Sequence, residues 1–220
     1  MILIIQCAGR KRSDAGRLRT EQGKSILFVA DPSKAPSDES DAYARPDDPS
    51  DTGPTWRERL KQYNAAPGDN PLGLCRAFEL YENPTYRRLV HRFGLSKTYV
   101  LSAGWGLVGA SYLTPAYDIT FSVSGAPHAR RRQRDIYRDL CLLPDDVTEP
   151  IVFFGGRDYV PLFCKLTNGL RSERLVFYNS QHAPEAPGCV LKRFRTTTRT
   201  NWHYECANAF LGIELPDSRT

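Results

Sequence analysis

ILIIQCAGRKR, residues 2–12, is the strongest indicator of the fold in this sequence. Its first five residues form a nearly continuous apolar run, which is typical of a strand buried on both faces of a sheet. The chain then passes directly into a glycine and three cations. We therefore expect a central parallel strand with a polar, ligand-accessible loop at its carboxyl end.

Further apolar runs follow, and amphipathic patterns lie between them. Strands are predicted at 25–30, 98–103, 150–154, 175–178 and 189–194. Helices are predicted at 55–64, 72–81, 84–93, 128–143, 159–166 and 201–211. Because strands that alternate with helices form mostly parallel sheets, we expect a single three-layer α/β domain over residues 1–220, with a mostly parallel central sheet flanked by helices.

Charge is distributed unevenly along the chain. The net charge is +5, but residues 31–53 contain seven acidic and two basic residues together with four prolines. That stretch is predicted to be a long acidic, Pro-rich surface loop that could gate a pocket. Removing its −5 from +5 leaves +10 on the rest of the chain, which suits an anionic partner as well as a solubilising surface.

The six cysteines are scattered, with none within four residues of another. This spacing excludes a Cys-x-x-Cys zinc knuckle, so we predict no metal and no cofactor. The sequence shows no secretion signal and no apolar run near the ~20 residues of a membrane span. We therefore expect reduced cysteines, a cytoplasmic location and no membrane partner.

Ligands of parallel α/β sheets bind beyond the carboxyl ends of the strands. This rule selects five strand ends, at 7–11, 30–32, 102–106, 155–157 and 179–182. The candidate substrate-binding residues lie at four of them: Cys7, Gly9, Arg10, Lys11, Ser102, Gly104, Trp105, Gly106, Gly155, Gly156, Arg157, Asn179 and His182. Some have structural alternatives. Cys7 is either a reactive thiol or a buried strand-end residue, and the Gly155-Gly156 pair suits either a phosphate or close packing of strand against helix.

Asp118 and Tyr117 are the candidate catalytic pair. A carboxylate can stabilise the positive charge that develops on a sugar when its bond to a base breaks, and it can orient a water molecule. Trp105 or Tyr117 could stack the base. The alternative for Tyr117-Asp118 is that the pair caps a turn.

Two basic segments are candidate contacts to a DNA backbone. They comprise Arg130, Arg131, Arg132 and Arg134 on the predicted 128–143 helix, and Lys192, Arg193, Arg195 and Arg199 before the aromatic residues at 202 and 204. Basic residues interleaved with aromatics are typical of nucleic-acid binding, although a solvated surface explains either segment alone. His203 lies in a helical pattern and is expected to be a packing or surface residue.

The string YVLSAGWGLV at 99–108, followed by LTPAYD at 113–118, resembles the peroxide-stress YaaA proteins and related uncharacterised bacterial and phage domains. In these proteins a strand ends in Leu-Ser, an aromatic-Gly-Leu follows, and a Pro-x-Tyr closes the motif. The Cys-x-Gly-Arg-Lys opening is similar to the related domains, whereas YaaA itself has Ser-Pro-Ala-Lys there. The resemblance implies DNA binding, a fold like that of uracil-DNA glycosylase, and a site in which Asp118 and Tyr117 face the 7–11 loop.

The resulting hypothesis is that the protein is a DNA glycosylase, an enzyme of base excision, which flips out and removes a modified base. The related glycosylase-like domains suggest glucosylated hydroxymethylcytosine of phage DNA as its substrate, and phage defence as its role. The expected partner is duplex DNA with one flipped nucleotide, bound by a monomer. Three alternatives stay open: a non-catalytic DNA-binding stress protein, an N-glycosidase of free nucleosides or nucleotides, and a lyase variant that uses Lys11 as its amine.

Overall fold

The computed structural model describes residues 1–37 and 41–212. Its strands, in chain order, are β1 (Ile2–Gln6), β2 (Ser25–Val29), β3 (Asp41–Ala44), β4 (Cys75–Arg76), β5 (Thr98–Ser102), β6 (Gly106–Gly109), β7 (Leu113–Thr114), β8 (Tyr117–Asp118), β9 (Leu140–Cys141), β10 (Ile151–Phe154), β11 (Arg174–Tyr178) and β12 (Val190–Arg193). The helices are α1 (Trp56–Ala65), α2 (Thr85–Phe93), α3 (Val160–Thr167) and α4 (Trp202–Phe210). Short 3₁₀ turns lie at Pro32–Lys34, Leu95–Lys97 and Arg157–Tyr159.

A seven-stranded sheet forms the centre of the molecule, in the order β12-β11-β10-β1-β5-β6-β9. As the apolar run predicts, β1 is a central strand, and it pairs in parallel with both β10 and β5. Within this sheet, as the described residues form it, only the β5–β6 pairing is antiparallel. The α/β class with a large, mostly parallel sheet is therefore confirmed.

Helices pack on both faces of this sheet, which is compatible with three layers. Neighbouring residues of a strand point to opposite faces. Phe153 stacks on Phe163 of α3, whereas Phe154 meets Phe210 of α4 edge-on. The two helices therefore lie on opposite sides of β10.

A smaller parallel sheet, in the order β3-β2-β8, lies beside the main one. The 25–30 strand was predicted for the central sheet, but it belongs here. In this sheet Val29 pairs with Asp118, so β2 places the candidate catalytic carboxylate.

All six strand predictions and four of the helix predictions agree with the structure to within one residue at each end. The 72–81 helix is wrong. Asn70, just before this segment, and Gly73, within it, adopt positive φ in turns, and Cys75-Arg76 then pairs with β7 as a short strand.

The 128–143 helix is also wrong, because this segment consists of turns that lead into β9. Tyr137 and Leu140 are buried as the amphipathic pattern indicates, but Ile136 from the same predicted face is 87% exposed. The side chain of Arg131 points into the protein, which an amphipathic helix with its arginines in solvent does not allow.

The acidic 31–53 segment is more ordered than the predicted loop, since it contains a 3₁₀ turn and β3. Its acids pair with arginines elsewhere in the chain: Arg17–Asp41, Arg57–Asp47 and Arg59–Asp51. Residues 38–40 of this segment lie outside the described residues. Among the helices of the described ranges, none is long and apolar enough to cross a membrane.

Candidate functional site

A cavity of about 520 Å³ opens at the carboxyl ends of β1 and β10. From β1 the chain continues to β5 on one side, whereas β10, β11 and β12 follow on the other side. This reversal of direction leaves a crevice between neighbouring loops, which is where ligands of such sheets bind. The cavity, called the central cavity below, is lined by residues from segments 6–9, 118–125, 156–159 and 199–204.

Asp118 provides a partly exposed carboxylate in the wall of the central cavity. Its side chain is 47% exposed, and its Oδ2 lies 3.4 Å from Nε2 of His128. The pairing of β8 with β2 fixes its backbone. The carboxylate is thus held in position by the fold and remains accessible to a ligand.

Gln6 presents a neutral amide at the end of β1. Its Oε1 accepts a hydrogen bond from the backbone N–H of Gly156, which fixes the orientation of the amide group. Within residues 1–37 and 41–212, its Nε2 makes no hydrogen bond. This amide can therefore donate to an acceptor of a ligand in the central cavity.

His203 is a polar wall residue on the first turn of α4 and is only 3% exposed. Burial lowers the pKa of His203 to about 3, so the imidazole is neutral at physiological pH. Its Nε2 has no hydrogen-bond partner among the described residues. The helical pattern predicts the burial of this residue but not its place beside a cavity.

Lys11 is partly exposed and lies over the Tyr117 ring. Its Nζ is 4.1 Å from the centre of the Tyr117 ring and 3.4 Å from the carbonyl oxygen of Gly9. Loss of surrounding water lowers the pKa of Lys11, and the nearby Cys7 and Asp118 act in the opposite direction. The first loop therefore brings an amine close to the candidate carboxylate, as the sequence predicts.

A network of hydroxyl groups forms the floor beneath this loop. The Tyr117 hydroxyl accepts a hydrogen bond from Ser102 Oγ and pairs with the Tyr81 hydroxyl, each at 2.8 Å. Ser102 Oγ in turn accepts the N–H groups of Gly104 and Trp105. Burial raises the pKa of Tyr81 and Tyr117 well above the usual value, so both stay neutral.

This burial corrects the predicted stacking residues. Trp105 is completely buried and Tyr117 is 3% exposed, so neither ring can stack a base in the central cavity. Ser102, Gly104 and Gly106 are buried as well. These residues shape the β5–β6 turn, whereas the Asp118 side chain is partly exposed and lines the central cavity.

Cys7 is a buried strand-end residue, which is the structural alternative that the sequence left open. Its Sγ lies 3.2 Å from the Tyr159 hydroxyl and 3.4 Å from the backbone nitrogen of Ala103. Gly155 is structural for a similar reason, because a Cβ there would lie 2.1 Å from the Phe153 ring. Gly9 and Gly156 line the central cavity, and the buried Cys7 also lies in its lining.

Two buried arginines hold the β5–β6 turn, and sequence reasoning missed both roles. Arg57 donates to the carbonyls of Gly104 and Trp105, and Arg131 donates to the carbonyl of Ala103. Asp47 and Asp139 neutralise the two guanidinium groups through two hydrogen bonds each. The predicted contact of Arg131 with DNA is therefore wrong, since this side chain is part of the core.

The other predicted cations are distributed over three places. Arg199 lines the central cavity, and Arg130, Arg132 and Arg134 line a second cavity. Six side chains are exposed and lie outside the lining of the central cavity: Arg10, Arg157, His182, Lys192, Arg193 and Arg195. Asn179 also lies outside this lining, and its side chain donates a hydrogen bond to the carbonyl of Thr198. In the part of the chain that the structure describes, no group of three His, Cys, Asp or Glu side chains could hold a metal ion.

Comparisons with protein-family models, curated proteins and solved structures give no significant match.

Proposed function

We propose that this protein is a DNA glycosylase, with a uracil-glycosylase-like architecture, that hydrolyses the N-glycosidic bond of a nucleotide flipped into the central cavity. The observation that carries the proposal is the partly exposed Asp118 carboxylate in a wall whose other groups are mostly neutral hydrogen-bonding groups, apart from the charged side chains of Asp158 and Arg199. The cavity volume of about 520 Å³ lies within the usual range for small-ligand sites. A nucleobase needs neutral donors and acceptors around it, with charge only where the sugar reacts.

In the proposed reaction the bond between sugar C1′ and the base nitrogen breaks, and its electron pair leaves with the base. Positive charge then develops on the sugar, which the Asp118 carboxylate stabilises. A water oxygen adds to C1′, and Asp118 takes one proton of that water. The proton that Asp118 takes from the water is passed to the base nitrogen through solvent, so the products are a free base and an abasic site, and Asp118 is a carboxylate again.

Three neutral groups are suited to hold the base. The Gln6 amide can donate to a base oxygen or nitrogen, and the uncharged imidazole of His203 can either donate or accept. The hydroxyl of Thr120 belongs to the same wall. Extrusion of the nucleotide is required because a base stacked within a duplex cannot reach such a cavity.

The test is base release from four duplexes: plain DNA and DNA that contains uracil, hydroxymethylcytosine or glucosylated hydroxymethylcytosine. Products are scored by mass spectrometry and by alkaline cleavage at abasic sites. Asp118→Asn should reduce release by at least about 10²-fold and leave DNA affinity nearly unchanged. The matched control is Asp145→Asn, which removes an exposed carboxylate outside the cavity lining and should keep full activity.

If the wild-type protein releases no base from any of the four duplexes but binds DNA in a salt-sensitive way, the result would favour the hypothesis of a non-catalytic DNA-binding protein. The basic second cavity is the observation that supports this second candidate. Retained release by Asp118→Asn would refute the assigned role of Asp118. Release from free nucleosides alone would instead identify an N-glycosidase of small molecules.

A further inference from the structure

A second cavity, of about 610 Å³, lies beyond β2 and next to the turns of segment 127–136. We call it the arginine cavity, because its lining includes Lys34, Arg45, Arg130, Arg132 and Arg134. In the described ranges, the lining contains two carboxylates beside these five cations, Asp31 and Asp135. The excess of positive charge in a concave surface attracts anions.

Among the described residues, few carboxylates pair with the cations of the arginine cavity. Lys34 pairs with Asp31, but Asp135 Oδ2 accepts the backbone N–H of Arg132. Within the described ranges, the guanidinium groups of Arg132 and Arg134 have no ion-pair partner. Neighbouring positive groups repel one another, so a bound anion would remove a cost that the unliganded protein carries.

Arg45 adds a preorganised donor to the wall. Its NH2 group donates to the carbonyl of Ile136, and its guanidinium carbon lies 4.9 Å from the centre of the Tyr137 ring. Its Nε is buried and has no hydrogen-bond partner among the described residues.

His128 links the arginine cavity to the central cavity. Its carbonyl accepts the N–H groups of Ala30 and Asp31, each at 2.9 Å, and these two residues line the arginine cavity. Its imidazole lies 3.4 Å from the Asp118 carboxylate. A polymer whose sugar reaches Asp118 therefore passes close to the arginine cavity.

The rim of the arginine cavity favours a polymer over a free phosphate ion. Ile136 lines this cavity and is 87% exposed, and Val123, whose carbonyl accepts from Arg130, is 84% exposed. Apolar side chains among arginines suit sugars and base faces, which inorganic phosphate lacks. The volume is also much larger than a single phosphate needs.

We propose that the arginine cavity binds two consecutive phosphates of the nucleic-acid strand whose nucleotide enters the central cavity. Arg132 and Arg134 are the main donors to these phosphates. Arg45 is a further donor, and its contacts with the Ile136 carbonyl and the Tyr137 ring hold it in position. The choice of strand rests on the proposed function, whereas binding of the phosphodiester chain can be measured without any catalysis.

The experiment measures the affinity for a fluorescein-labelled plain DNA duplex by anisotropy, between about 50 and 200 mM salt. Arg132→Gln/Arg134→Gln removes two phosphate contacts. The plot of log K against log salt should therefore become less steep, with the magnitude of its slope reduced by about 1.8. Near 0.1 M salt this corresponds to roughly 60-fold weaker binding. The single variants should each lower the slope by about 0.9, which keeps the test valid if the double variant folds poorly.

The matched control is Arg92→Gln/Arg171→Gln. Both residues are exposed and lie toward the amino ends of the sheet strands, away from the two cavities. Its slope should stay within about 0.5 of the wild-type slope. Equal slopes for the two double variants would overturn the proposal.

Titration with inorganic pyrophosphate separates the two sources of phosphate. Loss of pyrophosphate binding in Arg132→Gln/Arg134→Gln, with unchanged DNA affinity, would show a small-anion site and overturn the proposal. A reduced DNA slope would support it, even if the wild-type protein releases no base from any duplex. In that case only the glycosylase proposal fails.

Discussion

Replacement of Arg131 by methionine tests whether this arginine is a core residue or a DNA contact. Its guanidinium forms two 2.7 Å bonds to Asp139, and the two side chains are 4% and 1% exposed. Methionine keeps much of the volume but leaves the carboxylate buried, with only Lys165 Nζ 3.6 Å away. Removing one partner of a buried ion pair typically costs about 3–5 kcal/mol of unfolding free energy.

The carbonyl of Ala103 adds to this cost, because it loses a 2.7 Å hydrogen bond from Arg131. An unsatisfied buried acceptor costs about 1–3 kcal/mol. Since the two losses are not additive, we expect a total of about 4–6 kcal/mol, a large part of the stability of an ordinary domain. Urea unfolding followed by circular dichroism and tryptophan fluorescence measures this difference.

Two further variants make the measurement specific. Arg132→Met replaces the exposed neighbour and should change the unfolding free energy by less than about 0.5 kcal/mol. Arg131→Met combined with Asp139→Leu removes both charges and should be more stable than Arg131→Met alone by at least about 2 kcal/mol. An Arg131→Met protein with nearly wild-type stability and weakened DNA binding would refute the structural role.

Two other substitutions test the site. Because burial lowers the pKa of His203 to about 3, the unfolded chain binds a proton between about pH 6.5 and 3 that the folded chain does not bind. The unfolding free energy should therefore fall with decreasing pH across this window, and this group contributes about 1.4 kcal/mol per pH unit. His203→Gln should remove that contribution, which urea unfolding at several pH values measures. An unchanged dependence of the unfolding free energy on pH in the variant would argue against the buried, neutral state of His203. A Cβ at Gly106, where φ is +90°, would lie 2.3 Å from the Leu140 carbonyl oxygen, so Gly106→Ala should lower the unfolding free energy by at least about 2 kcal/mol. Gly109→Ala has no such contact and serves as the control in the same urea titration, where equal losses would contradict the steric argument.

The site combines a rigid floor with an accessible wall. Ser102, Tyr81 and Tyr117 form a buried hydroxyl network, and Arg57 and Arg131 hold the turn above β5 by its carbonyls. Such support keeps a functional carboxylate in place without conformational rearrangement. Asp118 and Gln6 then contribute the groups that a ligand can reach.

The sequence by itself determined the parallel α/β core. Apolar runs such as Ile2–Gln6 can be stabilised only with both faces covered, so the strand type and the ligand-binding end follow from local pattern. The placement of Gly9, Gly156 and Asp118 on the cavity wall agrees with that rule.

Only the tertiary structure decided which polar residues are structural and which are accessible. Arg57 bonds to backbone atoms 47 and 48 residues away, and Asp47 pairs with it, so neither role leaves a local signature. The same holds for Arg131. Its row of neighbouring arginines predicts an exposed helix face, but in the structure Arg131 is buried and donates to Asp139 and to the Ala103 carbonyl. Hydrogen bonds to carbonyls of a distant turn, together with a neutralising carboxylate, outweigh helical periodicity here, because a buried guanidinium must have its charge and its donors satisfied.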